Sequence, residues 1–266
     1  MDPIGYEAYT QELTSRLEAD ARVLALIALG SMAEPALRDG YSDHDLWLVV
    51  APGTEPDFLA DLAWLPRPAS DRLAVVRFGT RGASILYTDQ QVTEFAVFTE
   101  ASLASQPTDR YRLLVDRLGL ESRLPALVAT AQTRRAEMDR WPDAIANLAL
   151  VVWTGVLRHR RGEFLASQKY LRYHAVEAIL SVAQAAGRLA HPASNFLDPW
   201  RRLESINPRL AAGLLSSFSQ PAPAAARTLL DVAEVELRPY AADQAWPALE
   251  AVRRWLDALG TTQHPA

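Results

Sequence analysis

The spacing of the apolar residues changes once along the chain, near residue 100, and that change limits the folds open to it. Before it, short runs rich in Val, Leu, Ile and Phe stand between turn residues. "RVLALIAL" (22–29), "DHDLWLVV" (43–50), "RLAVVRF" (72–78), "ASILYTD" (83–89) and "VTEFAVF" (92–98) read as strands. The polar "TDQQ" between the last two marks an antiparallel hairpin. Pro3 to Ala19 carries helical spacing, and "EPDFLADLAWL" reads as a further helix. From Leu103 onward the spacing is helical throughout: "RYRLLVDRLGL" (110–120), "DAIANLALVVWTGVLRHRR" (143–161), "EFLASQKYLRYHAVEAILSVAQAAGRL" (163–189), "ARTLLDVAEVELRPY" (226–240) and "WPALEAVRRWLDALG" (246–260). "HPASNFLDPW" and "SQPAPAAAR" serve as Pro-bearing connectors. The expectation is an α+β protein: a mixed α/β domain over 1–105, followed by an all-helical domain over 106–266.

Charge and cysteine narrow the chemistry. The chain has 266 residues and a formal net charge of -5, which argues against a non-specific nucleic-acid binder with a basic face. It has no cysteine, which removes disulfides, thiolate metal sites and thiol nucleophiles together. The first residues are polar and carry no apolar core, so no signal peptide is expected. The most apolar stretch, "IANLALVVWTGVL", is too short and too interrupted to span a bilayer. The expected location is the cytoplasm.

The polar residues that interrupt the strands are the informative ones. In "DHDLWLVV", alternation puts Asp43 and Asp45 on one face and turns His44 away. Two adjacent carboxylates repel unless a cation lies between them or one takes a proton. Their oxygens suit Mg²⁺, which keeps open positions for phosphate. Upstream, Gly30 ends a buried run and Ser31 opens a short helix. A glycine there lets the backbone turn tightly, and free N–H groups at a helix start favour an anion. Downstream, Glu94 lies in mid-strand and shares a face with Ala96 and Phe98. It reads either as a third acid of the site, on a metal or on an attacking hydroxyl, or as an edge-strand glutamate facing water.

Gly30-Ser31, eleven residues, Asp43-His44-Asp45, then an acid on a later strand: this pattern resembles the nucleotidyltransferase superfamily built around the polymerase-beta palm. "DGYSDHDLWLV" is similar to the small-molecule nucleotidyltransferases that inactivate antibiotics. The helical second half and "DPWRRLESINPRL" are similar to the lincosamide branch of that group. The resemblance implies a polymerase-beta-like mixed sheet followed by a helical bundle. It implies transfer of a nucleoside monophosphate from a Mg²⁺-bound triphosphate, ATP first among them, to a hydroxyl of a small molecule, with release of pyrophosphate. Lincosamides and aminoglycosides are the acceptors it suggests. In that scheme Asp43 and Asp45 hold the metals, Gly30 and Ser31 the phosphates, and Glu94 the metal or the attacking hydroxyl. The resemblance allows a homodimer and implies neither nucleic acid nor membrane as partner. Transfer to a protein, or nucleotide binding without catalysis, stands as the alternative. Three features depart from the family's habit: His44 replaces an aliphatic residue, "SMAEPAL" replaces a small-residue and arginine/glycine run, and the third acid is Glu.

The helical half supplies further candidates. Taken as one helix from Glu163 to Arg188, a polar stripe runs through Glu163, Ser167, Tyr170, His174, Glu177 and Ser181. Lys169, the sole lysine, and Arg172 then fall on the apolar side with Leu165, Val176, Ile179, Leu180 and Ala183. A cation among core positions needs a partner. The phosphates are one; a helix acid, or snorkelling to the surface, is the other. Glu163 reads as a general base, as in some small-molecule nucleotidyltransferases, or as an ordinary helix-start acid.

Overall fold

The computed structural model describes residues 3–104, 106, 108–130, 141–240 and 246–261. The chain divides into two compact units, Met1–Gln132 and Thr133–Ala266.

The first unit is an α+β layer structure. Helix α1 (Pro3–Ala19) precedes strand β1 (Val23–Leu29), a single turn α2 (Gly30–Ala33) and strand β2 (His44–Val50). Helix α3 (Glu55–Ala60) leads to β3 (Arg72–Phe78), β4 (Gly82–Tyr87) and β5 (Val92–Phe98), and the short α4 (Glu100–Leu103) leads to β6 (Tyr111–Asp116). One six-stranded sheet has the order β3-β4-β5-β2-β1-β6. β2 and β5 are parallel; the other neighbours run antiparallel, including the expected β4–β5 hairpin. One face packs against the two larger helices through Leu13 and Leu17 of α1, Phe58 of α3, and Leu26, Leu46, Leu48, Ile85 and Phe95 of the sheet. Full burial of Leu13 and Leu17 contributes about 2 kcal/mol each. Among the described residues the opposite face is covered over β1, β2, β6 and the end of β5, where Ala25, Ile27, Val49 and Phe98 meet Leu103, Leu120 and Leu124.

Two expectations change. Residues 111–116, expected as helix, form the edge strand β6, paired to β1 from Tyr111↔Leu29 to Asp116↔Ala25. The apolar triplet Leu113–Val115 fits a helix turn or a strand equally, and pairing with β1 decides it. The first compact unit therefore runs to Gln132, past the expected boundary at 105.

His44 accounts for much of how α1 docks. Its ring stacks on Tyr6 at 3.8 Å between centroids and 12° between planes, and meets Tyr9 at 4.3 Å. Its Nε2 lies 3.4 Å from the Tyr6 carbonyl. Tyr6 Oη donates to the Asp43 carbonyl at 2.7 Å. An aliphatic side chain could fill this space but could not join the helix to the strand by both stacking and hydrogen bonding.

The second unit is all helix among its described residues. α5 (Trp141–Arg160), α6 (Phe164–Lys169), α7 (Ala175–Ala185), α8 (Leu203–Ile206), α9 (Pro208–Phe218), α10 (Ala222–Glu236) and α11 (Pro247–Thr261) enclose one core. α9, capped by Asn207 accepting from the Leu210 N–H at 3.1 Å, was not among the expected helices. Between α6 and α7 the chain makes a π-helical turn, Tyr170–His174. Such a turn inserts an extra residue and rotates everything before it relative to everything after. Val176, Ile179, Leu180 and Ala183 are buried as expected, but Leu165 is 89% exposed and Ser167 is buried. Lys169 and Arg172 are accordingly on the surface, not on the apolar side. No helix among the described residues is long and apolar enough to cross a membrane.

Burial lowers the His44 pKa to about 4; the Tyr6 carbonyl opposes the shift, and Arg67 and Arg38 add to it. The unfolded chain, with an ordinary histidine, binds this proton first as pH falls. The contribution is therefore whole above pH ~6.5 and is lost on acidification toward pH 4, at up to about 1.4 kcal/mol per pH unit. Urea unfolding in metal-free buffer should show this slope between pH 6.5 and 4.5, and His44→Leu should flatten it. An equal slope in both proteins would exclude His44 as its source.

Candidate active site

The pairing of the strands builds one row across the sheet. Asp45 of β2 is the register partner of Glu94 of β5, and Glu94 is the partner of Ser84 of β4. Neighbouring strands lie about 4.8 Å apart, so the two carboxylates stand side by side on one face. Ser84 Oγ donates to Glu94 Oε1 at 2.6 Å. All three residues are half-buried, at the border between the covered half of this face and its open half. His44 points to the other face, as alternation requires. Asp43 lies one residue before the strand, half-buried, its backbone tied to Tyr6.

Gly30 brings a second feature against the first. It follows β1 directly with φ +51°, in the left-handed region. A Cβ built on it would stand 3.5 Å from Asp45 Oδ2, an ordinary contact, so the backbone angle and not space demands glycine. The turn that follows buries Ser31 and Met32. The Met32 carbonyl accepts from two guanidinium groups, Arg38 Nη2 at 3.4 Å and Arg112 Nη2 at 3.1 Å. Arg38 also pairs with Glu7 at 2.6 Å and lies over the Tyr6 ring at 4.6 Å. The Nε atoms of Arg38 and Arg112 are buried with no hydrogen-bond partner among the described residues. Burial pushes the Tyr6 hydroxyl pKa up, Arg38 and Arg112 pull it down, and Asp43 and Asp45 push it further up. All four charges thus act on one hydroxyl, with carboxylates and guanidinium groups gathered around the same turn.

Such a site can serve a ligand that is anionic in one part and carries a cation in another. Among the described residues no three His, Asp or Glu side chains close on a point as a complete metal cage. Carboxylates beside one another on a half-open face nevertheless fit Mg²⁺, which takes one or two protein carboxylates and completes its shell with water and phosphate oxygens. Asp43 and Asp45, with Glu94 beside Asp45 across the sheet, are the residues that would hold it.

The structure brings Gly30, Asp45 and Glu94 together and places Ser31 and Asp43 beside them in the chain. Glu163, Lys169 and Arg172 belong to the second unit. Glu163 is exposed at the N-cap of α6, and its Oε2 accepts from Arg158 Nη1 at 2.7 Å. Tyr6, Arg38, Ser84 and Arg112 join the site from outside the sequence motif. Arg38 immediately follows the atypical segment, at the end of the 3-10 turn Pro35–Leu37, and reaches back to the Met32 carbonyl. A cavity lies elsewhere in the first unit, between α1 and α3, lined by Arg16, Asp20, Arg22, Asp57, Asp61 and Trp64.

No family model matches the chain, and no curated protein matches it in sequence. Similar solved structures include an aminoglycoside 6-adenyltransferase from Bacillus subtilis, with 12% identity, TM-score 0.38 and coverage of 95% of this chain and 97% of that one. A nucleotidyltransferase-like protein from Exiguobacterium sibiricum has 13% identity and TM-score 0.36, covering 94% of this chain and 80% of its own. The Bradyrhizobium diazoefficiens CD-NTase CdnG, solved with GTP, has 17% identity and TM-score 0.28, covering 98% and 93%. Similarity at this level assigns no activity and no residue role.

Gly30→Ala forces a Cβ into the left-handed region and should cost about 1–2 kcal/mol of stability. Urea unfolding checks it, with Gly53→Ala, at an exposed positive-φ turn, as a reference for the backbone cost alone. No loss at Gly30 would mean that the turn relaxes without harm.

Proposed function

We propose that this chain transfers a nucleoside monophosphate from a nucleoside triphosphate to a hydroxyl of a small molecule and releases pyrophosphate. The observation that carries the reading is the Asp45–Glu94 pair facing a glycine turn gripped by Arg38 and Arg112. A magnesium-bound triphosphate has the matching halves: a divalent cation for the carboxylates and a polyanionic tail for the cations.

In this reading Asp43 and Asp45 hold Mg²⁺ and Glu94 stands beside them. The ion supplies neutralisation of phosphate charge. Arg38 and Arg112, with Ser31 and the backbone of its turn, hold the phosphate chain. The acceptor oxygen attacks the α-phosphorus, the bond from that phosphorus to the bridging oxygen of pyrophosphate breaks, and pyrophosphate leaves. The hydroxyl proton passes to the Glu94 oxygen that Ser84 does not engage. Ser84 fixes the Glu94 carboxylate by occupying one of its oxygens. Tyr6 and His44 hold Asp43 and the start of β2 in place. ATP is the first donor to test, and lincosamide and aminoglycoside antibiotics are the first acceptors.

The protein, Mg²⁺, α-labelled triphosphates and both antibiotic classes should yield an acceptor heavier by one nucleoside monophosphate, read by mass spectrometry. Asp45→Asn should lower the rate at least a thousandfold; transfer that survives it would overturn the site. Arg112→Met removes a charge-assisted contact worth about 1.5–3 kcal/mol, so the KM for triphosphate should rise roughly ten- to a hundredfold. An unchanged KM would remove Arg112 from the phosphate site. Labelling of a protein, or tight triphosphate binding without turnover, would replace the acceptor half of the reading.

A further inference from the structure

The row of register partners does not stop at Ser84. Its next member is Val76 on the edge strand β3. Around it, on the face that bears Asp45 and Glu94, alternation places Phe78 and Leu86. Val76 is 62% exposed, Phe78 45% and Leu86 42%. The Phe78 ring covers Gly82: a Cβ there would fall 2.1 Å from it. Edge strands are ordinarily guarded by charge or proline. Here the side chains of β3 and β4 on this face are Ala74, Val76, Phe78, Ser84 and Leu86, with no acid among them. A cation, Arg81, lies in the turn between β3 and β4, its guanidinium 6.0 Å from the Phe98 ring centroid. An apolar shelf thus continues directly from the Ser84–Glu94 hydrogen bond, and Val76 is two strand spacings, about 10 Å, from Glu94.

We propose that this shelf is the acceptor subsite, and that it takes a hydroxyl compound with an apolar body and at most one positive charge. The assignment rests on the nucleotidyl-transfer reading of the adjacent acids. The body lies on Val76, Phe78 and Leu86, and the hydroxyl reaches back to Glu94. A polycationic acceptor would find no further acid on β3 or β4 and would meet Arg81.

Two measurements test it. In the first, kcat/KM for transfer is compared across methyl, butyl and octyl glucosides and a triamino sugar. It should rise with alkyl length, by up to about fourfold per methylene buried, and be lowest for the triamino sugar. Val76→Lys and Leu86→Lys, both at exposed positions, should abolish the alkyl preference and leave the KM for triphosphate unchanged. Val75→Lys, on the same strand but the opposite face, should retain the preference. In the second, octyl glucoside is titrated without nucleotide and followed by methyl NMR shifts at Val76 and Leu86. Shifts there without turnover on any acceptor would keep the shelf and overturn the transfer reading. Turnover with no shifts and no alkyl preference, or with the triamino sugar preferred, would overturn the shelf and keep the transfer. A dimer that Val76→Lys dissociates, with no change in acceptor KM, would assign the shelf to a second copy of the chain and overturn the proposal.

Discussion

The parallel register of β2 with β5 is the constraint on which the site depends. Among the described residues it is the one parallel pairing in an otherwise antiparallel sheet. It sets Asp45 beside Glu94 and, through the hairpin, Glu94 beside Ser84. A slip of one residue would turn His44 toward the open face and drive a carboxylate into the core against α1. The burial of Leu46, Leu48, Phe95 and Val97 on the other face prevents that slip. The hydrophobic core of the first unit thereby holds two carboxylates side by side.

Much of this arrangement was legible in the sequence, and the losses have physical causes. α1, β1, β2, β4 and β5 follow from apolar spacing, because each buries one regular face; β3 follows from its β-branched run alone, since most of its side chains are exposed. β6 does not, because a short apolar triplet has no period of its own and takes its form from β1. Asp45 and Glu94 were legible through alternation and through their apolar neighbours. Ser84 was not, and the reason is a single angle. Gln90 has φ 72°, and the Tyr87 N–H donates to the Gln91 carbonyl, so the loop of the hairpin is 88–90. Counting all of "TDQQ" as loop would place Ser84 opposite Phe95. Arg38 and Arg112 converge from segments far apart in the chain, which no spacing rule reports.

The second unit shows the same limit differently. A helical wheel assumes constant phase, and the π turn at Tyr170–His174 breaks it. The residues after the turn keep their expected faces, while Leu165 and Ser167 before it exchange theirs. Lys169 and Arg172 looked like cations in need of a partner only because the wheel was carried through the break.

The β2–β5 pairing also bears on the order in which the chain can assemble. Antiparallel partners such as β3–β4 and β4–β5 are joined by short turns and can form early. β2 and β5 are separated by residues 51–91, and their contact must wait until that length of chain has closed. The carboxylates therefore meet late, and their repulsion falls on the closing step rather than on any local element. An unfinished sheet has a glycine turn and scattered acids; the charged site comes into being with the completed fold.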